Sequence, residues 1–442
     1  MYKVHLISKG ASMSERLENQ SQQPERTTAH ERFLTDGLDF YKLTMGQIAL
    51  ERFPRDEVTF TLKNRATEFP LSQYVDIDEL RARLDAIRTK GFTPQEVAYL
   101  AGLKAQNGEA RFDEAYLNFL ADVELVEVNI ALDEQTNDLA ISATGPWANV
   151  SLWETIVMSE VNEQYYRNMI KAENLNLEDI WAEGDRRLDE KIAILKNRPD
   201  IKFSDFGTRR RQSAEWHEHV IGRLATELPD NFIGTSNPYF AYKYGLKPIG
   251  TYAHEMPMVY AARADQEGRN PLDGHNEMLQ DWEARYNGEL SIALTDTFTS
   301  DFFFADFTKE QAEKWDGLRH DSGDPIEFGE RAIAFYENYG IDPTTKTLVF
   351  SDGLDIESIV ALADHFAGRI TLLFGWGTDL MNDLGLRKNN NVMKATKAND
   401  IDTVKLSDNV GKHTGPEAQV NRYIEEAERI VREAYDKEVI HA

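Results

Sequence analysis

The feature that most constrains this chain is a pattern recurring after residue 200: a short apolar run, then a cluster carrying Gly or Asp, and in several cases a helical stretch behind it. Seven such runs stand at 201–211 (IKFSDFGTRRR), 231–237 (NFIGTSN), 247–255 (KPIGTYAHE), 289–298 (ELSIALTDTF), 316–325 (DGLRHDSGDP), 347–355 (TLVFSDGLD) and 370–379 (ITLLFGWGTD). Helical stretches lie between several of them, such as 325–339 and 355–366, the latter closed by Gly368. Strand, polar loop and helix in repetition predict an α/β fold, an irregular (β/α) barrel of about seven strands. A doubly wound open sheet shares this local pattern and stays open as the alternative. In barrels the chemistry sits on loops after the carboxyl ends of the strands, and the reactive residue types of this chain fall there.

Ahead of the repeat, residues 31–150 mix helical stretches (39–53, 77–89, 94–101, 113–121) with alternating strand-like ones (58–62, 123–132). They predict an N-terminal α+β domain. A long helix from Ser151 opens the 151–410 barrel, and residues 392–408 predict a hairpin around Asn399–Asp402. Residues 411–442 predict a C-terminal packing helix, with Val420, Tyr423, Ile424, Ala427, Ile430, Val431, Ala434 and Tyr435 on one face. Residues 1–30 lack the apolar core of a signal peptide and read as a flexible tail, with Met13 an alternative start.

Composition narrows the function. The chain has 49 Lys plus Arg against 76 Asp plus Glu, a net charge of −27. Such a chain repels phosphate backbones and anionic membranes, so neither nucleic acid nor a membrane is expected as a partner. It has no cysteine, which excludes disulfides, thiolate zinc sites and Cys nucleophiles. No apolar run reaches the roughly 18 residues of a membrane span.

Against this background a basic cluster is informative, and Phe206–Gly207–Thr208–Arg209–Arg210–Arg211 is one. Phe206 can stack on an aromatic ring while an arginine binds its carboxylate or a phosphate. A solvated helix start with salt bridges is the other reading, and at least one of the three arginines is expected to face solvent. In Gly317–Pro325, Arg319 offers a bidentate phosphate clamp and Asp321 an acceptor for sugar hydroxyls, although a surface ion pair in a turn uses the same residues. Backbone N–H groups of Phe374–Asp379 and Ser351–Gly353 can cradle a phosphate, while two-glycine loops are common without one. Asp355 suits a helix N-cap. His217 and His219 are two apart, share no helical face, and read as surface or structural. His254 follows a predicted strand end beside Glu255, where a lone histidine is also often structural.

Taken together and in this order, FGTRRR, GTSN, GTYAHE, GLRHDSGDP, TLVFSD, FGWGT and KLSDNVGK resemble the nicotinate phosphoribosyltransferase family of the bacterial and fungal type. DFYKLTM (Asp39–Met45) and GPW (Gly145–Trp147) do so too, and the resemblance covers roughly residues 33–415. It implies a type II phosphoribosyltransferase fold, a barrel beside an N-terminal α+β domain, acting as a cytoplasmic homodimer with shared active sites. The implied reaction condenses nicotinate with 5-phosphoribosyl 1-diphosphate to nicotinate mononucleotide and diphosphate, for NAD synthesis. It is coupled to ATP hydrolysis through a phosphohistidine, with Mg²⁺ arriving on substrate rather than in a protein cage.

By the same resemblance, Tyr41 of a neighbouring subunit and Phe206 sandwich the nicotinate ring. Arg209 and Thr251 lie near the ring and its carboxylate, and Arg319 and Asp321 hold the phosphoribosyl phosphates and ribose hydroxyls. Gly375, Gly377 and Thr378 bind the 5-phosphate with Ser351 and Asp352 nearby, and His254 is the phosphorylated histidine. Ser236 stands where a nicotinamide-using relative carries Asp. An Asp favours a carboxamide and repels a carboxylate, so Ser236 points to nicotinate. A Schiff-base aldolase needs a desolvated Lys at a strand end, and the nearest candidate, Lys405, sits in the hairpin. The intact Arg, Asp and His positions speak against a catalytically silent barrel.

Overall fold

Strict alternation of Val58, Phe60 and Leu62 makes strand β1 (Glu57–Asn64), with those three side chains buried. The computed structural model describes residues 33–441 apart from Asn287, without the side chains of Val410 and 437–441. The expectations for residues 1–30 therefore lie outside the described residues.

β2 (Val128–Asp133) and β3 (Asp138–Pro146) follow, and β3 pairs antiparallel with both β1 and β2. Pairing starts at Val128 rather than Val123, and β3 is a strand that the sequence did not predict. The helices Phe40–Arg52, Ile77–Lys90, Pro94–Gly102 and Glu114–Asp122 stand where helical periodicity puts them. Asp76, Thr93 and Asp113 cap the last three through side-chain bonds to backbone N–H groups. Asp39, at the start of the first, makes no such bond; its carboxylate is engaged elsewhere.

Six short strands form a second, parallel sheet: β4 (Phe203–Asp205), β5 (Phe232–Thr235), β6 (Ile292–Leu294), β7 (Gly317–His320), β8 (Thr347–Phe350) and β9 (Thr371–Trp376). Their order is β5-β4-β9-β8-β7-β6. The edge strands β5 and β6 are neighbours in sequence, the order of a ring opened between them. A seventh strand is expected within 247–255, but that segment contributes one parallel bridge, Thr235 to Pro248. Beyond it, Thr251 Oγ1 lies 3.3 Å from the Ile292 carbonyl, and the Tyr252 hydroxyl accepts from Leu294 N at 3.0 Å. Pro248 has no N–H for a ladder. Gly250, at φ 151°, turns the chain where the Tyr41 backbone N would lie 3.2 Å from an added Cβ. Among the described residues the ladder thus has six strands, with side chains bridging the gap.

The predicted hairpin forms as β10 (Asn391–Ala398) and β11 (Ile401–Asp402). It does not join the parallel sheet. β10 pairs antiparallel with β1, giving the order β11-β10-β1-β3-β2, so residues from the 151–410 stretch complete the N-terminal sheet. The C-terminal helix, Glu417–His441, buries Val420, Tyr423 and Ala427 against Leu272, Phe298, Phe302, Val404 and Leu406. Tyr435, expected on this packing face, is 58% exposed because the face runs out beyond Val431. No described helix is long and apolar enough to cross a membrane.

Candidate active site

At the carboxyl end of β4, Asp205 holds a loop in place. It accepts from Gly207 N (2.7 Å), Thr235 Oγ1 (2.6 Å) and His217 Nε2 (2.8 Å), and His217 is fully buried, hence structural. The loop so fixed carries Phe206 and Arg209 into a cavity of about 450 Å³ between the two sheets. None of the three arginines is a solvated surface residue. Arg209 and Arg210 line the cavity, and Arg211 is fully buried against Asp36 and Glu163. Those two carboxylates, far off in sequence, draw it inward.

Tyr41, expected from a neighbouring subunit, lines the cavity of its own chain. The Phe40 N–H donates to the Ser236 carbonyl at 2.6 Å, pinning the start of the Phe40–Arg52 helix beside β5. Arg209 Nη1 donates to the Tyr41 hydroxyl at 2.7 Å and to Asp39 Oδ2 at 3.2 Å. Ser236 does not reach the cavity; its hydroxyl donates to Asp39 Oδ1 at 2.6 Å. It therefore acts on Arg209 through Asp39, whose carboxyl burial pushes up. Thr251 also stays out of the cavity lining, its carbonyl accepting from Thr44 Oγ1 at 2.7 Å.

The cavity centre is a network on the ends of β7 and β8. Arg319 Nε donates to Ser351 Oγ at 2.8 Å, and Arg319 Nη2 and the Ser351 hydroxyl both reach Asp321 Oδ1, at 3.1 and 2.9 Å. Asp321 Oδ2 lies 2.9 Å from His254 Nε2, and Lys405 Nζ lies 2.9 Å from the same nitrogen. Thr297 Oγ1 is 3.0 Å from Nδ1. Burial, then the Lys405 charge, hold His254 below the usual imidazole value, against the pull of Asp296 and Asp321. Burial works against ionisation of Asp321, but Arg319, His254 and Lys405 together outweigh it and keep that carboxyl well below the usual range. Glu255, the sequence neighbour of His254, turns away to Lys42, Ser151 and Trp147.

At the far end, Gly375, Gly377, Thr378, Ser351 and Asp352 line the cavity together. Gly375 is needed there, since an added Cβ would stand 2.4 Å from the Phe206 ring. Several lining residues escaped the sequence: Arg65 after β1, Lys388, Lys394 on β10, and Lys412, which reaches Asp352 at 2.7 Å. Lys405 and Lys412 lie within KLSDNVGK, so that motif held the available signal; Arg65 and Lys394 depend on β1 pairing with β10. Eight cations against six carboxylates line the cavity of a protein carrying a charge of −27. Anions are drawn into this cavity by a reversal of the global charge balance.

Asp296, also missed, is fully buried, with Oδ2 bonded to Ser322, Lys405 and Ser407 and Oδ1 without a hydrogen bond among the described residues, 3.7 Å from His254 Nε2. Ligand atoms of His254, Asp296 and Asp321 lie within 4.8 Å of one another. A buried carboxylate oxygen without a hydrogen bond, beside a second carboxylate, suits a hard cation such as Mg²⁺, which Asp296 and Asp321 would hold.

Comparison with known proteins agrees with this arrangement. The profile of the nicotinate phosphoribosyltransferase (NAPRTase) family matches residues 201–435, and that of its N-terminal domain matches residues 37–162. A crystal structure of nicotinate phosphoribosyltransferase from Porphyromonas gingivalis is 31% identical, with a TM-score of 0.81 over 90% of this chain and 99% of that one. One from Vibrio cholerae is 32% identical, with a TM-score of 0.74 over 93% and 98%. A putative nicotinate phosphoribosyltransferase from Saccharomyces cerevisiae is 26% identical, with a TM-score of 0.77 over 90% and 98%. With two sheets meeting at a cation-rich cavity, and both family profiles matched in order, the chain belongs to the nicotinate phosphoribosyltransferase family.

Proposed function

We propose that the cavity condenses nicotinate with 5-phosphoribosyl 1-diphosphate, releasing diphosphate and nicotinate mononucleotide for NAD synthesis. The observation that carries this reading is the joint presence, in one cavity, of an arginine over a tyrosine and a second arginine locked to an aspartate. Arg209 binds the nicotinate carboxylate, and Tyr41 and Phe206 flank its ring. Gly377 and Thr378 receive the 5-phosphate, Asp321 and Asp352 accept from the ribose hydroxyls, and Arg319 with the lysines receives the diphosphate. As the diphosphate leaves, the anomeric carbon gains oxocarbenium character that Asp321 stabilises. Mg²⁺, when bound, neutralises charge on the diphosphate. Ser236, by holding Asp39 on Arg209, favours a carboxylate substrate over a carboxamide.

The reading extends to energy coupling, with ATP phosphorylating His254 transiently. Phosphoryl transfer uses an unprotonated imidazole nitrogen, which burial and Lys405 favour, and Lys405 stands beside it to meet the incoming charge. Segment 247–252, which carries the chain to His254, is read as the seventh strand of a barrel-like ring. The protein is read as a cytoplasmic homodimer, each protomer with its own Tyr41.

The test is mononucleotide formation from nicotinate, with and without ATP. Wild type should form product faster with ATP and should carry an acid-labile, base-stable label from ATP labelled in the γ-phosphate. His254→Asn should lose label and stimulation while keeping slow ATP-independent turnover. Equal labelling of the two proteins would leave His254 structural, and no product from wild type would overturn the activity itself.

A further inference from the structure

When the nicotinate nitrogen attacks the anomeric carbon, its lone pair becomes the new C–N bond. The C–O bond to diphosphate breaks, and that electron pair leaves with the diphosphate. No proton moves, so a neutral pyridine ring becomes a pyridinium cation. Arg209 serves the carboxylate of the base but opposes this second, developing charge. The base end of the cavity therefore needs a negative group that no protein cation has already cancelled.

Lys42, Glu154 and Glu255 supply one. Lys42 is fully buried on the helix that carries Tyr41, with its ammonium 5.6 Å from the Tyr41 ring centre. It is paired with both carboxylates. Glu255 receives three donors, from Lys42, Ser151 and Trp147, and these satisfy it as a carboxylate. One cation and one anion are thereby matched. Glu154, in the first turn of the helix Trp153–Ala172, is ion-paired with the shared Lys42 and sits within the field of Arg209, and it lines the cavity with 14% of its side chain exposed. Burial pushes the Glu255 carboxyl up against the pull of Lys42, and Glu154 adds to that push; with both carboxylates ionised, they outnumber the one ammonium and leave a surplus negative charge on the cavity wall. Glu255 alone already neutralises Lys42, so a second, partly buried carboxylate is a cost to folding unless its charge is used.

We propose that Glu154 stabilises the positive charge that develops on the pyridine ring during glycosidic bond formation, a role that rests on the reading of the cavity given above. The carboxylates nearest the two site arginines are ion-paired with them: Asp321, which faces the anomeric carbon, with Arg319, and Asp39 with Arg209.

The experiment compares wild type, Glu154→Gln and Glu154→Asp in single turnover with nicotinates ring-substituted to grade the basicity of the nitrogen. Glu154→Gln preserves shape and leaves Lys42 paired with Glu255, so the buried cluster becomes neutral rather than unbalanced. Its single-turnover rate should fall by at least ~10-fold, with KM for nicotinate within ~3-fold. Its rate should also depend more steeply on nitrogen basicity, because the ring must carry the new charge unaided. Glu154→Asp, which keeps the charge, should retain the wild-type slope even if it turns over more slowly. A wild-type rate in Glu154→Gln overturns the proposal, as does a slower rate with an unchanged slope, which marks a structural role. Wild type that forms no mononucleotide overturns the underlying reading of the cavity and this role with it.

Discussion

Replacing Gly375 with alanine isolates the wall against which nicotinate is read to stack. Gly375 sits on β9, opposite Ser204 of β4 in the parallel ladder, so its backbone cannot retreat without breaking the sheet. An added Cβ would stand 2.4 Å from Phe206 Cδ2 and Cε2 and 3.1 Å from Cζ. Carbon pairs settle near ~3.5–4.0 Å, so the ring edge must move by roughly 1 Å. The free direction is into the cavity, where the base belongs. A displacement of that size at a stacking wall is worth up to ~100-fold in rate, while crowding of this kind costs about 1–3 kcal/mol of stability. The expected result in steady-state assays is a nicotinate KM raised at least ~10-fold, with KM for phosphoribosyl diphosphate within ~3-fold and a melting temperature lowered by a few degrees. Gly377→Ala is the control, because its Cβ would meet only the Phe206 carbonyl, at 3.3 Å, and should perturb nicotinate much less. Gly375→Ala with a wild-type nicotinate KM would refute the placement of Phe206 as the stacking wall.

Three further expectations follow from the same cavity. Arg319 is held in place by Ser351 and Asp321, so Arg319→Ala should lower kcat/KM for phosphoribosyl diphosphate by more than ~100-fold, close to 3 kcal/mol; a loss under threefold would remove that loop from the site. Because Tyr41 and Arg319 line one chain's cavity, mixing Tyr41→Ala with Arg319→Ala protein should restore no activity after verified subunit exchange, and clear recovery would show that the tyrosine crosses between chains. Burial, then Lys405 and Arg65, push the Lys394 ammonium down to about 7. A lowered lysine is charged below that value and neutral above it, so kcat/KM for phosphoribosyl diphosphate should fall between about pH 6 and 8. Lys394→Arg should remove that component, and an identical profile in the variant would acquit Lys394.

The chain by itself determines its local structure. Asp355 predicts a cap and makes one, bonding to Ser358 N ahead of the helix Ile356–His365. The runs ending in FGT, RHD, FSD and GWG each become a short parallel strand with its polar end at the cavity, and the run ending in GTS becomes a parallel strand whose end stays out of the lining. These signals are legible because strand alternation, helix caps and strand-end loops are set by residues a few positions apart. Composition likewise marks a basic cluster as exceptional before any fold is known.

What only the tertiary structure decides is which side chains those loops meet. Periodicity says that β10 is a strand with a buried face, and nothing in it says that β1, over 300 residues earlier, is its partner. That pairing brings Arg65 and Lys394 into the cavity lining. In the same way Arg211 is drawn inward by Asp36 and Glu163, Glu255 leaves its neighbour His254 for Lys42, and Ser236 reaches Arg209 only through Asp39. Each of these outcomes is a choice of hydrogen-bond partner under burial, where a polar group must be satisfied by whatever packing brings near. Such a choice belongs to contacts distant in sequence, so Tyr41 could be recognised by its motif, yet the chain whose cavity it lines became visible only once Gly250 let the backbone of the Phe40–Arg52 helix pass beside it.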